Sequence, residues 1–210
     1  MQPLLFCGEN FMENNNGSKA QFTGEQGRSL VDLAKHTIME KLGRKINKLR
    51  ADKLAAELTN SKFQESCGTF VTINIEGKLR GCIGNLYAEG TVVEGVRQNA
   101  INAAFNDPRF PPLSESELSD IDIEVSILSV PQPLDCKDGD DLIDKLRVDV
   151  DGVILKKGFL SATFLPQVWK QLPKAEVFLS HLCVKAGLPA NEWKNNELEV
   201  RTYQVQYFEE

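Results

Sequence analysis

The sequence has no run of 18 apolar residues, so it offers no candidate membrane-spanning helix. It has no C-x-x-C pair, and its two histidines, His36 and His181, are far apart, so no set of clustered zinc ligands can be read. No metal site and no cofactor are therefore expected. No G-x-G-x-x-G follows a predicted strand, and no phosphate-binding loop is present. Near the amino terminus, Leu4, Leu5 and Phe6 form too short an apolar run for a signal peptide, and no basic segment precedes them. Positive charge is in deficit: 24 Lys and Arg stand against 30 Asp and Glu, for a formal net charge of −6. That balance argues against broad attraction to nucleic acid or to an anionic membrane. The five cysteines, Cys7, Cys67, Cys82, Cys136 and Cys183, are odd in number and widely spaced. They read as reduced thiols of a cytoplasmic protein, not as a disulfide framework.

What remains is enough for a core. A chain of 210 residues buries about 70% of its unfolded surface without staples. Asn14-Asn15-Asn16-Gly17-Ser18 is polar and turn-forming, so residues 1–20 read as a flexible tail. Thr23 with Gln26 is a capping box. The helix after it places Leu30, Ala34, Ile38 and Leu42 on one face and His36 on the other. Lys41, Arg44, Lys45, Lys48, Arg50 and Lys53 form a basic run with no interleaved aromatic to stack a base, which reads as a solvated face. A second helix is expected over 51–59. Thr91 with Glu94 caps a third, which buries Val92, Val93, Val96, Ala100 and Ala103 and stops near Asp107-Pro108. Pro108, Pro111 and Pro112 then impose an extended loop.

Strict alternation of Ile121, Ile123, Val125 and Ile127 with Asp122, Glu124 and Ser126 predicts a half-buried strand, closed by Pro131 and Pro133. A short helix is expected around Leu142, Ile143 and Leu146. Val153-Ile154-Leu155 is a strand, Gly158 a turn, and Leu160–Phe164 pairs back or runs into a loop. A helix over 175–186 ends at Gly187 and Pro189. The last strand, 198–208, changes phase between Val200 and Tyr203, which predicts a bulge. Helices and strands mix without a regular βαβ repeat, so the fold class is α+β with mainly antiparallel pairing.

The segment that carries chemistry is Leu79-Arg80-Gly81-Cys82-Ile83-Gly84. With Gly68–Ile75 it reads as a hairpin. A three-residue loop, Glu76-Gly77-Lys78, sets Val71 against Ile83, Thr72 against Cys82, Asn74 against Arg80 and Ile75 against Leu79. All apolar residues then share one face. A two-residue loop mixes the faces and is rejected on that ground. Thr72, Asn74, Arg80 and Cys82 form a polar patch beside Gly81 and Gly84, which mark close approach by another backbone or a ligand. Arg80 and Cys82 fall on one face, with Cα atoms about 6.7 Å apart, where a guanidinium would favour the thiolate. Cys82 and Arg80 are thus the candidate catalytic pair. Against this, most cysteines in strands simply pack.

Leu-Arg-Gly-Cys-Ile-Gly, together with Gly68–Thr72, Asn99-Ala100, Ala103-Ala104, Asp107-Pro108-Arg109-Phe110, Glu124–Leu128, Asp151-Gly152-Val153 and Ala162–Trp169, resembles the ordered motifs of the AMMECR domain family. The resemblance runs from about Gln26 to Tyr207. It implies a two-lobed α+β architecture over 21–210 with a cleft near 79–84, and no defined reaction. It also implies Memo-type and radical S-adenosylmethionine proteins as partners in a modification pathway. At the matched positions Asp107 and Arg109 serve as acid/base or anion-binding groups, or as a turn cap and its ion pair. Glu124 is a proton carrier or a surface carboxylate. Gln167 bonds a loop backbone or a ligand, His181 is a boundary residue, and Trp169 and Trp193 pack in the core. The candidate ligand-binding set is therefore Thr72, Asn74, Gly81, Gly84, Asp107, Arg109 and Glu124. Three functions compete: an enzyme or substrate-presenting component using Cys82, a binding module in which Cys82 only packs, and, last, nucleic-acid binding through the basic run.

Overall fold

Thr23 opens the first helix by accepting a hydrogen bond from the Gln26 N–H, while the Gln26 side chain accepts one from the Thr23 N–H. The reciprocal cap satisfies two of the donors that every helix start leaves unpaired. The structure, a computed structural model, describes residues 21–195 and 197–209; the expected amino-terminal tail lies outside them. The capped helix, α1 (Gly24–Lys41), buries Leu30, Ala34 and Ile38 on the expected face, together with Val31, Leu33 and Thr37. The second helix, α2 (Lys48–Glu57), begins three residues before its expected start. The Asn47 side chain accepts from the Leu49 and Arg50 N–H groups, so the cap sits inside the basic run, where charge obscured it.

β1 (Gly68–Ile75) and β2 (Lys78–Asn85) form the expected hairpin. Val71 opposes Ile83 and Thr72 opposes Cys82, as the face argument required. Beyond Ile73, opposite Gly81, the register shifts: Asn74 opposes Leu79 and Ile75 opposes Lys78. The expected pairs Asn74–Arg80 and Ile75–Leu79 do not form. The turn is the rejected two-residue one, Glu76-Gly77, and both residues have positive φ, 51° and 71°. Turns with two positive φ values match the twist of paired strands. The mixing of faces that counted against it is absorbed by a bulge that leaves Arg80 without an opposite residue.

α3 (Val92–Phe105) carries the second capping box, Thr91 with Glu94, and stops two residues before Asp107. It buries Val92, Val96, Ala100 and Ala103; Val93 packs at the margin of the core. β3 (Ile121–Leu128) pairs antiparallel with β1. β8 (Val205–Glu209) completes a four-stranded sheet in the order β2-β1-β3-β8. α1 and α3 pack on this sheet, whose core contains Val71, Ile73, Ile121, Ile123, Val125 and Ile127.

The described chain divides into two compact units, the first running to Leu128 and resuming at Gln206, the second spanning Ser129–Val205. In the second, β4 (Gln132–Pro133), β5 (Gly152–Lys157), β6 (Leu160–Phe164) and β7 (Glu199–Tyr203) form a sheet in the order β4-β7-β5-β6. α4 (Gly139–Lys145) and α5 (Ala175–Lys185) fall where the periodicity placed them. Trp169 is fully buried and stacks on Phe178 with 3.7 Å between ring centroids. Trp193 is also buried, whereas His181 is exposed. The last strand is not one bulged strand. It breaks at Gln204 into β7 and β8, which belong to different sheets, and this accounts for the phase change.

Candidate functional site

On the face of the first sheet opposite α1 and α3, three strands align one row of side chains. Cys82 of β2 stands across from Thr72 of β1, and Thr72 stands across from Glu124 of β3. The Thr72 hydroxyl donates to the Cys82 Sγ at 3.3 Å. Ser126, two residues along β3, donates to the Glu124 Oε1 at 3.3 Å. Asn74 lies opposite Asp122 in the same ladder. Cys82, Thr72 and Glu124 are half-buried. Burial is the main cause that pushes the Cys82 thiol above its ordinary range. The Thr72 hydrogen bond and the Arg109 charge pull the other way, and Glu124 and Asp107 add to the rise. Burial likewise raises the Glu124 carboxyl; the Ser126 hydrogen bond opposes this and the charge of Glu209 reinforces it.

β2 is an edge strand, and the segment after α3 closes that edge at Cys82. The Cys82 N–H donates to the Asp107 Oδ2 at 2.9 Å, and the Cys82 carbonyl accepts from the Arg109 Nη2 at 3.0 Å. Asp107 and Arg109 are themselves joined by Nη2–Oδ2 at 2.6 Å and Nε–Oδ1 at 2.9 Å, and the Arg109 N–H also donates to Oδ1. The pair thus does at one residue what a neighbouring strand would do along a ladder. Asp107 is 1% exposed and Arg109 52% exposed in their side chains. The Arg109 hydrogen bond, against burial, holds the Asp107 carboxyl far below the usual carboxylate range.

Arg80 does not join the thiol. Its bulge aims it at the loop after α3, where Nε meets the Glu117 Oε1 at 2.7 Å and Nη2 reaches the Pro112 carbonyl at 3.4 Å. The Arg80 hydrogen bond is the main cause that holds the Glu117 carboxyl down to about 2. The charges that act on Cys82 come from Arg109, Glu124 and Asp107. Arg80 and Arg109 meet instead on one ring: their guanidinium carbons lie 5.9 and 5.4 Å from the Phe110 centroid.

Both glycines of the hexapeptide answer to packing. A Cβ on Gly81 would lie 2.1 Å from the Ala103 carbonyl oxygen of α3, and one on Gly84 would lie 2.2 Å from the Phe70 ring. The close approach is therefore by a helix backbone and by an aromatic side chain. In the second unit, the buried Asp151 carboxylate pairs with Arg147 at 2.6 Å, and the Asp151 carbonyl accepts from Trp169 Nε1 at 2.7 Å. Gln167 is half-buried, and its Oε1 has no hydrogen-bond partner among the described residues. No group of three or more His, Cys, Asp or Glu among the described residues stands together as metal ligands.

Residues 31–208 match the AMMECR1 family. The chain belongs to the AMMECR1 family. It is 38% identical over 192 residues to a protein of Methanothermobacter thermautotrophicus, covering 91% of this chain and 97% of that one. A protein of Methanosarcina mazei is 38% identical over 189 residues, covering 90% and 93%. The crystal structure of a protein from Pyrococcus horikoshii matches with a TM-score of 0.73 at 34% identity, covering 89% of this chain and 92% of that one.

In this member of the AMMECR1 family the hexapeptide is thus held from three sides. α3 sits against Gly81, Thr72 meets the sulfur, and Asp107 with Arg109 takes the backbone of Cys82. The strand face brings Thr72, Cys82 and Glu124 together with Ser126, a buried hydroxyl that in the sequence stands only as a polar strand position. Its alternation with Glu124 was the available signal. The proximity of Arg109 to Cys82 could not be read from spacing, because 27 residues separate them. No helix among the described residues is long and apolar enough to cross a membrane.

Proposed function

We propose that this AMMECR1-family protein is a binding and substrate-presenting component of a modification pathway that also uses Memo-type and radical S-adenosylmethionine proteins. The family resemblance supplies the partners, and the site supplies the chemistry. The observation that carries the presenting role is the state of Cys82: a half-buried thiol, hydrogen-bonded by Thr72, whose proton is held more tightly than in a free cysteine. Such a group is a poor resting nucleophile. Around it stand a hydroxyl, an amide, a carboxyl and a half-exposed guanidinium from Thr72, Asn74, Glu124 and Arg109. Arg109, half-exposed although its Nε and Nη2 already serve Asp107 and the Cys82 carbonyl, presents its outer edge to a partner's carboxylate. The reading places the protein in the cytoplasm, in keeping with five cysteines that are odd in number and widely spaced.

The test is calorimetric titration of the full chain with the Memo-type protein of the same organism. Binding is expected for the parent and for Cys82→Ala, with a loss of about tenfold or more in Arg109→Ala. Absence of binding, or loss in Cys82→Ala alone, would reject the presenting role.

A catalytic thiol is the second reading, favoured by one observation. Glu124, with its raised carboxyl, shares a row with Cys82 and Thr72. The ionised Glu124 carboxylate, made more basic by burial, is the form that can take up a thiol proton.

A further inference from the structure

A second candidate site lies away from Cys82, between α1 and the start of α2. Asp32, Lys35, His36 and Met39 lie at helical spacing on α1, and Ile46, Asn47 and Arg50 face them from the connection and first turn of α2. Together they line a cavity of about 300 Å³. Its half-buried residues are Lys35, His36, Met39 and Ile46; Asp32, Asn47 and Arg50 form an exposed rim. The turn that brings the two helices together is set by Gly43, at φ 72°.

The cavity adjoins the basic run, and its own lining carries Lys35 and Arg50 against the carboxylate of Asp32. Residues 41–53 carry six cations and one carboxylate, Asp52, in a chain of net charge −6. Arg50, on the cavity rim, makes no ion pair among the described residues, whereas Arg44 of the same run is bound to Glu115 at 2.7 Å. The basic run is thus more than an evenly solvated face: one of its members turns to a concave, partly apolar space. Met39 and Ile46 give that space an apolar wall, and Lys35 and His36 give it hydrogen-bond donors. Small-ligand sites combine these features, an apolar lining with a few convergent polar groups.

The geometry points to this cavity as a binding site for a small phosphorylated molecule. Arg50 contacts the phosphate, the Lys35 ammonium adds positive charge beside it, and Met39 with Ile46 packs against the body of the ligand. A guanidinium offers planar, paired donors to phosphate oxygens, and an ammonium adds a point charge. A cavity closed on two sides by helices suits a mononucleotide-sized ligand better than an extended strand of nucleic acid, which needs an open groove with stacking aromatics.

The experiment is calorimetric titration of the full chain with AMP, adenosine, inorganic phosphate, citrate and a single-stranded RNA oligonucleotide, at about 50 mM salt. AMP is expected to bind, inorganic phosphate to bind more weakly, and adenosine and citrate not to bind. Arg50→Ala should weaken AMP about tenfold or more. Arg44→Ala should leave AMP binding within about twofold, since it removes a surface pair outside the cavity. Matching unfolding midpoints for both variants and the parent would exclude a folding defect as the cause. The proposal is overturned if AMP fails to bind at about 1 mM or if adenosine binds as well as AMP. It is also overturned if citrate replaces AMP, or if the two variants lose equally. Tighter binding of the oligonucleotide with steep salt dependence would assign the run to nucleic acid instead.

Discussion

The carboxylate of Asp107 lies 2.9 Å from the backbone nitrogen of Cys82, 25 residues away in sequence. That contact, with the Arg109 hydrogen bond to the Cys82 carbonyl, covers the open edge of the first sheet at the residue where the candidate chemistry sits. It makes the Asp-Pro-Arg segment part of the strand's framework as well as part of the site's electrostatics.

Removing that carboxylate should therefore cost stability. Asp107→Ala leaves the Cys82 N–H without its acceptor, which costs about 1–3 kcal/mol for a buried donor, and removes the ionic partner of the half-exposed Arg109. We expect a loss of about 2–4 kcal/mol in urea unfolding with an unchanged m value, and a smaller loss for Asp107→Asn. The acid dependence has a definite sign. The folded-state values of Asp107 and Glu117 are depressed, Glu117 to about 2. Their contribution is full above the unfolded values near about 4 and is lost as pH falls below them. Thermal unfolding between about pH 5 and pH 2 should show a smaller drop in Asp107→Asn than in the parent. An equal drop would mean that the Asp107 carboxylate contributes nothing to acid stability.

The thiol should titrate late. Iodoacetamide alkylation of Cys82, followed by peptide mass spectrometry, is expected to show a midpoint above that of a free cysteine, about 8.5. Arg109→Ala should raise the midpoint further, because its charge favours the thiolate. Arg80→Ala should leave it in place, because Arg80 is bound to Glu117. A midpoint below about 8 would support the catalytic reading over the presenting one.

Two glycines of the hairpin should behave differently. Gly81→Ala would force a Cβ against the Ala103 carbonyl of α3, so strand or helix must move. A loss of about 3 kcal/mol or failure to fold is expected. A Cβ on Gly77 would meet nothing within 4 Å, but the residue sits at φ 71°. Gly77→Ala should cost about 1–2 kcal/mol through backbone strain alone. Chemical unfolding of both variants makes the comparison, and equal costs would contradict the close helix contact.

Glu124 gives the opposite pH sign to Asp107. Its folded-state value is raised by burial, so stability is lost as pH rises from about 4.3 through that value. Glu124→Gln should flatten this part of the stability curve and leave the parent less stable relative to the variant near neutrality. Thermal midpoints at about pH 4 and pH 7 read it; a parent that gains on the variant as pH rises would refute the burial argument.

Much of this was legible in local pattern. Thr23 with Gln26 and Thr91 with Glu94 announced two helix starts, because a cap is made by residues three apart. The placement of Thr72 opposite Cys82 followed from keeping Val71 and Ile83 on one face. The bulge at Arg80 was not legible. It reconciles two local demands, a turn with two positive φ values and one apolar face, and the register alone shows how they are met. Asn47 was hidden because a cap inside a run of charge leaves no periodic mark.

By itself, the sequence determined most of the elements and their buried faces, the α+β class and the strand that carries Cys82, since each rests on interactions within a few residues or on a period of two or 3.6; the split of the last strand between two sheets was not among them. Only the tertiary structure decided which arginine serves the thiol. Arg80, two residues from Cys82, was turned toward Glu117 by the bulge, and Arg109, 27 residues away, was brought to the strand edge by the end of α3. Electrostatic contact depends on distance through space, and here the fold reversed the order of distance along the chain.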